Sequence, residues 1–147
     1  MHDKNTIILQ ARTWLGTKFQ HQGRIKKSAN DPGGVDCIGL IIGVAHELGI
    51  NIADHTGYRR LPNQDKLLEI SKNCLVEKDI STLEVSDIVL LKIDQEPQHF
   101  ALIAQGVYSK TMIHSYAPLR RVVEHGLDPY WSSKIIATFK FPTNYYK

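Results

Sequence analysis

An α+β fold is what this sequence predicts, and two observations carry it. Apolar residues recur at helical spacing in the first half of the chain, and from residue 80 the pattern changes to period two with β-branched runs. Helices first and strands afterwards is the order of an α+β domain, here N-terminal helices packed on a C-terminal antiparallel sheet of about five strands. At 147 residues the chain reads as a single domain, residues 1–147, able to bury roughly 68–70% of its unfolded surface.

Taken in order, Ile7, Ile8, Ala11, Trp14 and Leu15 make one face of a first helix, capped by Asn5 or Thr6 and ended by Gly16. Residues 17–35 carry Lys18, His21, Gln22, Gly23, Arg24, Lys26 and Lys27 and read as a long polar loop, the kind that is functional or mobile in a compact domain. Pro32, Gly33 and Gly34 then allow a tight reversal. Asp36 follows as a helix cap, which sets Cys37 at or next to the first helical position. Ile38, Leu40, Ile41, Val44, Ala45 and Leu48 continue that helix to Gly49, roughly a dozen residues and about 18 Å. It is apolar almost all round, as a central buried helix must be.

Gly57 and Pro62 break the chain over residues 51–62, and residues 65–75 read as an amphipathic helix with Leu67, Leu68, Ser71, Cys74 and Leu75 inward. Cys74 is therefore expected in the core. Five strands are expected over 87–93, 99–103, 111–116, 121–124 and 135–141. Short connections containing Gly106, Ser109, Pro118 and Gly126 suit an antiparallel meander.

Composition removes several classes of function. The net charge is +3 and the 18 Lys and Arg are scattered, so no nucleic-acid partner is indicated. Two cysteines, Cys37 and Cys74, do not make a disulfide framework, and both are expected to be reduced. Met1 to Asn5 lack the features of a signal peptide, and no apolar run is long enough for a membrane span. The expectation is synthesis in the cytoplasm without a signal peptide and no membrane partner. Neither a Cys-x-x-Cys pair, a His-Glu-x-x-His helix nor a complete P-loop is present, so neither a metal nor another cofactor is expected.

Chemistry converges on Cys37. A thiol at a helix N-terminus meets free amides and the positive end of the macrodipole, which favour thiolate. The alternative is an ordinary small core residue. A nucleophilic thiol needs an imidazole to take its proton and a third group to hold that imidazole. His99 opens one strand and His114 lies within the next, so a hairpin through Gly106 and Ser109 can bring both to one side as base and orienter. The alternative for each is a sheet histidine bonded to backbone. His2, His46, His55 and His125 read as surface residues at a terminus, on a helix or in loops.

The segment Asp36-Cys37-Ile38-Gly39-Leu40 resembles the Asp-Cys-x-Gly-hydrophobic signature of the NlpC-type papain-like cysteine peptidases. Matching pieces follow in order: Trp14 to Thr17, Gln20 to Gly23, Ser86 to Leu90, His99, Ile113 to Tyr116, and Val122 to His125. The resemblance spans nearly the whole chain and is nearest to small phage and prophage cell-wall peptidases. It implies a papain-like fold, Cys37 as nucleophile, His99 as base and acid, and His114 as orienter. It also implies a peptidoglycan peptide substrate, with phage-tail proteins as partners if the chain belongs to a virion, and action at the cell wall after release.

One position departs from the family pattern: Phe19 stands where a tyrosine is usual. The oxyanion would then rest on the Cys37 amide with Gln22 or His21 as second donor, and loss of one such donor costs about 10²–10³ in turnover. Arg24, Lys26, Lys27 and Arg120 are candidates to meet muropeptide carboxylates, against the alternative of solvated surface. Two other readings stay open: a non-catalytic phage-tail or assembly module on the same scaffold, and a thiol acyltransferase or amidase.

Overall fold

The computed structural model describes residues 3–54, 66–93 and 96–142. His2, His55, Gly57, Pro62 and residue 65 of the expected third helix lie outside the described residues.

Helix α1, Lys4–Arg12, is capped by Asp3, whose side chain accepts from the Thr6 N–H. The cap thus lies two or three residues before Asn5 or Thr6, because a short carboxylate just outside the first turn reaches the free amides. Its buried face is Ile7, Ile8 and Ala11, and Trp14 follows in the turn beyond, 3% exposed. Residues 17–35 are firmly tied. Gly16 N–H donates to Val122 O, Phe19 N–H to Arg120 O, and Gln20 N–H to Val35 O. Within this stretch β1, Arg24–Ile25, pairs antiparallel with β2, Gly34–Val35.

Helix α2, Cys37–Glu47, buries Ile38, Gly39, Leu40, Ile41, Ile42, Val44 and Ala45. It is the central helix the apolar pattern predicts. Gly39 and Gly43 set how closely its neighbours approach. A Cβ at Gly39 would lie 2.2 Å from Gly23 O, and one at Gly43 would lie 2.4 Å from the Trp14 ring. Helix α3, Lys66–Cys74, buries Leu67, Ile70 and Ser71. Cys74 is only partly buried at the edge of the same cluster, not fully in the core, because the helix ends there.

The sheet has six strands in the order β3-β8-β4-β5-β6-β7: Val76–Lys78, Ile135–Lys140, Ile88–Ile93, Glu96–Gln105, Lys110–Tyr116 and Arg121–Gly126. Every pairing is antiparallel. Strands β4 to β7 form the expected meander, while β8 returns to lie between β3 and β4. The additional edge strand β3 follows α3 without a breaker. A one-turn helix α4, Pro129–Ser132, capped by Asp128, precedes β8.

Both sheet faces are covered. Ile88, Leu90, Phe100, Leu102, Ile113 and Phe139 pack with α1 to α3 in the main core. Val89, Leu91, Ala101, Ile103 and Met112 form a second cluster with Leu83, Leu127, Trp131 and Ile135. Consecutive residues Ile88 to Leu91 therefore all bury, which is why β4 reads as a continuous apolar run. Among the described residues no helix is long and apolar enough to cross a membrane.

Candidate active site

Asp36 anchors the N-terminus of α2. It is 4% exposed. One carboxylate oxygen accepts from the Gly39 N–H at 2.8 Å and the other from the Gln22 N–H at 2.8 Å. Arg24 pairs with it at 3.2 Å and with Asp54 at 3.0 Å. The same carboxylate thus caps the helix and fixes the loop before it. Gln22 is held with φ +58°, a left-handed backbone that a non-glycine side chain adopts only under constraint. The backbone amide of Gln22 is thereby committed to Asp36. His21, the neighbouring donor candidate, is half-buried.

Cys37 begins α2 with its thiol against strand β5, where the N–H of Phe100 points at the sulfur, as do the N–H groups of Ile38 and of Cys37 itself. These amides favour thiolate, but removal from water outweighs them. Burial first, and the adjacent Asp36 carboxylate second, push the thiol up to about 12. The helix N-terminus therefore does not act alone on the thiol: Cys37 is partly buried against the main core, and Phe100 of β5 lies beside it.

His99 is the residue beside Phe100 and is 6% exposed, while His114 is fully buried. Their rings meet through Nε2 of His99 and Nδ1 of His114 at 2.5 Å. The hairpin from β5 to β6 thus delivers the juxtaposition that the spacing predicts. Burial, then the electrostatic influence of His125, lowers His99 to about 4. Burial, then His99 and His125, lowers His114 to about 2. Both imidazoles are neutral at neutral pH.

A third histidine joins them. Nε2 of His114 lies 2.8 Å from Nε2 of His125, and Nδ1 of His125 lies 3.0 Å from the Gly126 carbonyl oxygen. His125 is on β7 and half-buried, not a loop residue on the surface. The expected strand over 121–124 stops one residue short of it. In register His114 faces Val123 and Met112 faces His125, so two-residue alternation turns His114 and His125 to the same face. Tyr116 stacks on His114 with centroids 5.0 Å apart, and Trp131 of α4 stands 5.4 Å from His114 and 5.2 Å from His125.

The remaining candidates fall elsewhere. His46 is exposed on α2 with Nε2 bonded to Ile52 O at 3.0 Å. Lys26 is held by Thr13 and Glu47 and lies over the Trp14 ring, so it and Arg24 are engaged in structure. Lys27 and Arg120 are exposed, Arg120 with φ +63° at the turn into β7. Phe19 is bridged to Val35 beside the site. Cys37 and Cys74 are both free thiols. Among the described residues no three His, Cys, Asp or Glu side chains are grouped as metal ligands.

Residues 16–139 match the profile of the NlpC/P60 family. No protein of curated function is similar enough in sequence to match. Among solved structures, the NlpC/p60 domain of the peptidoglycan hydrolase SagA superposes with a TM-score of 0.66 at 17% identity, covering 95% of this chain and 100% of that one. An NlpC/P60 family protein from Bacillus cereus gives 0.68 at 22% identity over 95% of this chain, which spans 40% of its length. An N-acetylmuramoyl-L-alanine amidase from Bacteroides uniformis gives 0.55 at 8% identity, covering 94% and 98%. These likenesses establish the papain-like α+β fold.

Proposed function

Because this chain belongs to the NlpC/P60 family, we propose that it is a cysteine hydrolase cleaving an amide bond in bacterial cell-wall peptides. Cys37 is the nucleophile, His99 the base and acid, and His114 the group that holds His99. The observation that carries this reading is a thiol at the start of a buried helix, turned to the backbone amide next to a buried histidine that is itself bonded to a second one.

Burial of both groups decides how the proton moves. A thiol near 12 and an imidazole near 4 differ by about eight pH units, so a separated thiolate and imidazolium would cost on the order of 11 kcal/mol. Attraction between unit charges in contact returns about 4 kcal/mol at an effective dielectric of about 20. The resting site is therefore a neutral pair, and the thiol gives up its proton as it attacks. Sulfur bonds to the carbonyl carbon while His99 takes the proton. The C–N bond then breaks as His99 protonates the leaving amine. Water attacks the thioester, returns a proton through His99 and frees the carboxylate and the thiol.

The oxyanion is assigned to the Cys37 amide with the Gln22 side chain or His21 as second donor, since the Gln22 backbone amide is taken by Asp36. The ordered motifs from Trp14 to His125 support a phage- or prophage-derived member acting on the wall as a virion component or after release. Digestion of purified muropeptides, read by mass spectrometry, tests the assignment. Wild type yields hydrolysed peptides, and Cys37→Ala yields none while its circular dichroism and melting temperature stay native. Cleavage retained by Cys37→Ala overturns the enzymatic reading, and acyl groups found on amines in place of water redirect it to transfer.

A further inference from the structure

We propose that His125 is a positioning residue that fixes, through His114, which nitrogen of His99 carries the proton. The inference rests on the reading of Cys37 and His99 as a catalytic pair and extends it to a side chain outside that pair.

The argument is one of donors and acceptors. A carbonyl oxygen can only accept, so the 3.0 Å contact with Gly126 O places a hydrogen on Nδ1 of His125. In the neutral form of that ring, Nε2 of His125 is then a bare lone pair. It accepts across 2.8 Å, so His114 donates from its Nε2. A neutral His114 carries a single N–H, which leaves its Nδ1 bare to accept from His99 Nε2 at 2.5 Å. The chain of three neutral rings ends with the proton of His99 on Nε2 and a lone pair on Nδ1. That is the form able to receive the proton of Cys37.

The direction is set at its far end. Burial keeps both His99 and His114 neutral, and the intrinsic preference of a neutral imidazole between its nitrogens is small enough for a hydrogen-bond partner to decide. The backbone carbonyl of Gly126 decides for His125, and the decision passes inward. His125 is further held by Trp131, whose ring stands 5.2 Å away. His114 by itself orients the plane of His99 but cannot choose its tautomer.

Long-range ¹H–¹⁵N correlation spectra of the imidazoles in uniformly ¹⁵N-labelled protein near neutral pH read the tautomers directly and need no substrate. Wild type is expected to show His99 and His114 protonated on Nε2 and His125 on Nδ1. In His125→Leu the acceptor is lost, His99 and His114 become tautomer mixtures, and kcat on muropeptides falls on the order of 10²-fold with KM unchanged, short of the ~10⁴ of a wholly wrong tautomer. His125→Gln restores an acceptor oxygen and recovers both readouts. A proton found on Nδ1 of His99 in the wild type overturns the proposal, as does a His125→Leu protein whose tautomers and kcat are those of the wild type. If Cys37→Ala retains cleavage while the tautomer pattern stands, the enzymatic reading fails and the relay survives. If cleavage depends on Cys37 while His99 carries its proton on Nδ1, the relay fails and the enzyme stands.

Discussion

Acid should unfold this protein through its buried imidazoles before its carboxylates titrate. His99 is 6% exposed and titrates near 4 in the folded chain, against about 6.5 when unfolded. Between those values the unfolded state binds a proton that the folded state refuses, so stability is complete above about 6.5 and falls as the pH drops towards 4. At about 1.4 kcal/mol per pH unit, His99 alone accounts for a loss of about 3 kcal/mol by pH 4. His114, pushed to about 2, contributes about as much over the same window. Together they remove about 6 kcal/mol by pH 4, the whole stability of a domain at the lower end of the usual range of about 5–15 kcal/mol. The assay is urea unfolding followed by circular dichroism at half-unit steps from pH 7.5 to 4.5. His114→Gln keeps an acceptor for the His99 N–H but has no proton to gain, so its stability should decline by about 1.4 kcal/mol per pH unit less steeply than wild type. Parallel slopes for the two proteins would mean that His114 titrates alike folded and unfolded, and the burial argument would be wrong.

Alkylation offers a second check, on the sulfur. With the thiol near 12, its thiolate fraction at pH 7.5 is about three thousandfold below that of a free cysteine near 8.5. Iodoacetamide labelling of Cys37 in the substrate-free protein should rise about tenfold per pH unit from 7 to 10 with no plateau, and a plateau below pH 8 would show that the helix N-terminus prevails over burial. Packing at the same helix start gives a third. Gly39→Ala sets a Cβ, with no freedom to turn aside, 2.2 Å from the backbone oxygen of Gly23, so Gly23 and the loop bearing Gln22 must move. The expected loss is about 1–3 kcal/mol in urea unfolding together with weakened muropeptide cleavage. Wild-type stability in Gly39→Ala would show that the loop yields freely.

Elements with a long local period were legible in the sequence, and those made by partners were not. α2 reads directly because Asp36, the apolar run and Gly49 lie within one stretch. The strand β3 does not: Val76 and Glu77 are exposed at the sheet edge, so no alternation marks them, and only pairing with β8 makes them a strand. Residues 17–35 read as loop because their order comes from backbone bonds to β7 and β2, which side chains do not announce. The surroundings of the thiol are hidden from the sequence for a related reason. The helix N-terminus is visible beside Cys37, whereas the strand that desolvates it lies sixty residues further on.

The histidines separate what spacing can carry from what register must. His99 and His114 flank a single hairpin, and a turn between two period-two runs is enough to bring them together. His125 needs the next hairpin as well, and there the chain passes through Ala117–Leu119 and a left-handed Arg120 before β7 begins. That turn sets Tyr116 against Arg121, and every later pair follows, including Val123 against His114. A shift of one residue would turn His125 to the opposite face and leave His114 Nε2 buried with no acceptor. The cost of such an orphaned donor, about 1–3 kcal/mol, falls on the hairpin itself. The same bond that completes the relay thus helps to select the register that makes it, and the position of Arg120 in the turn is tied to the proton on His99.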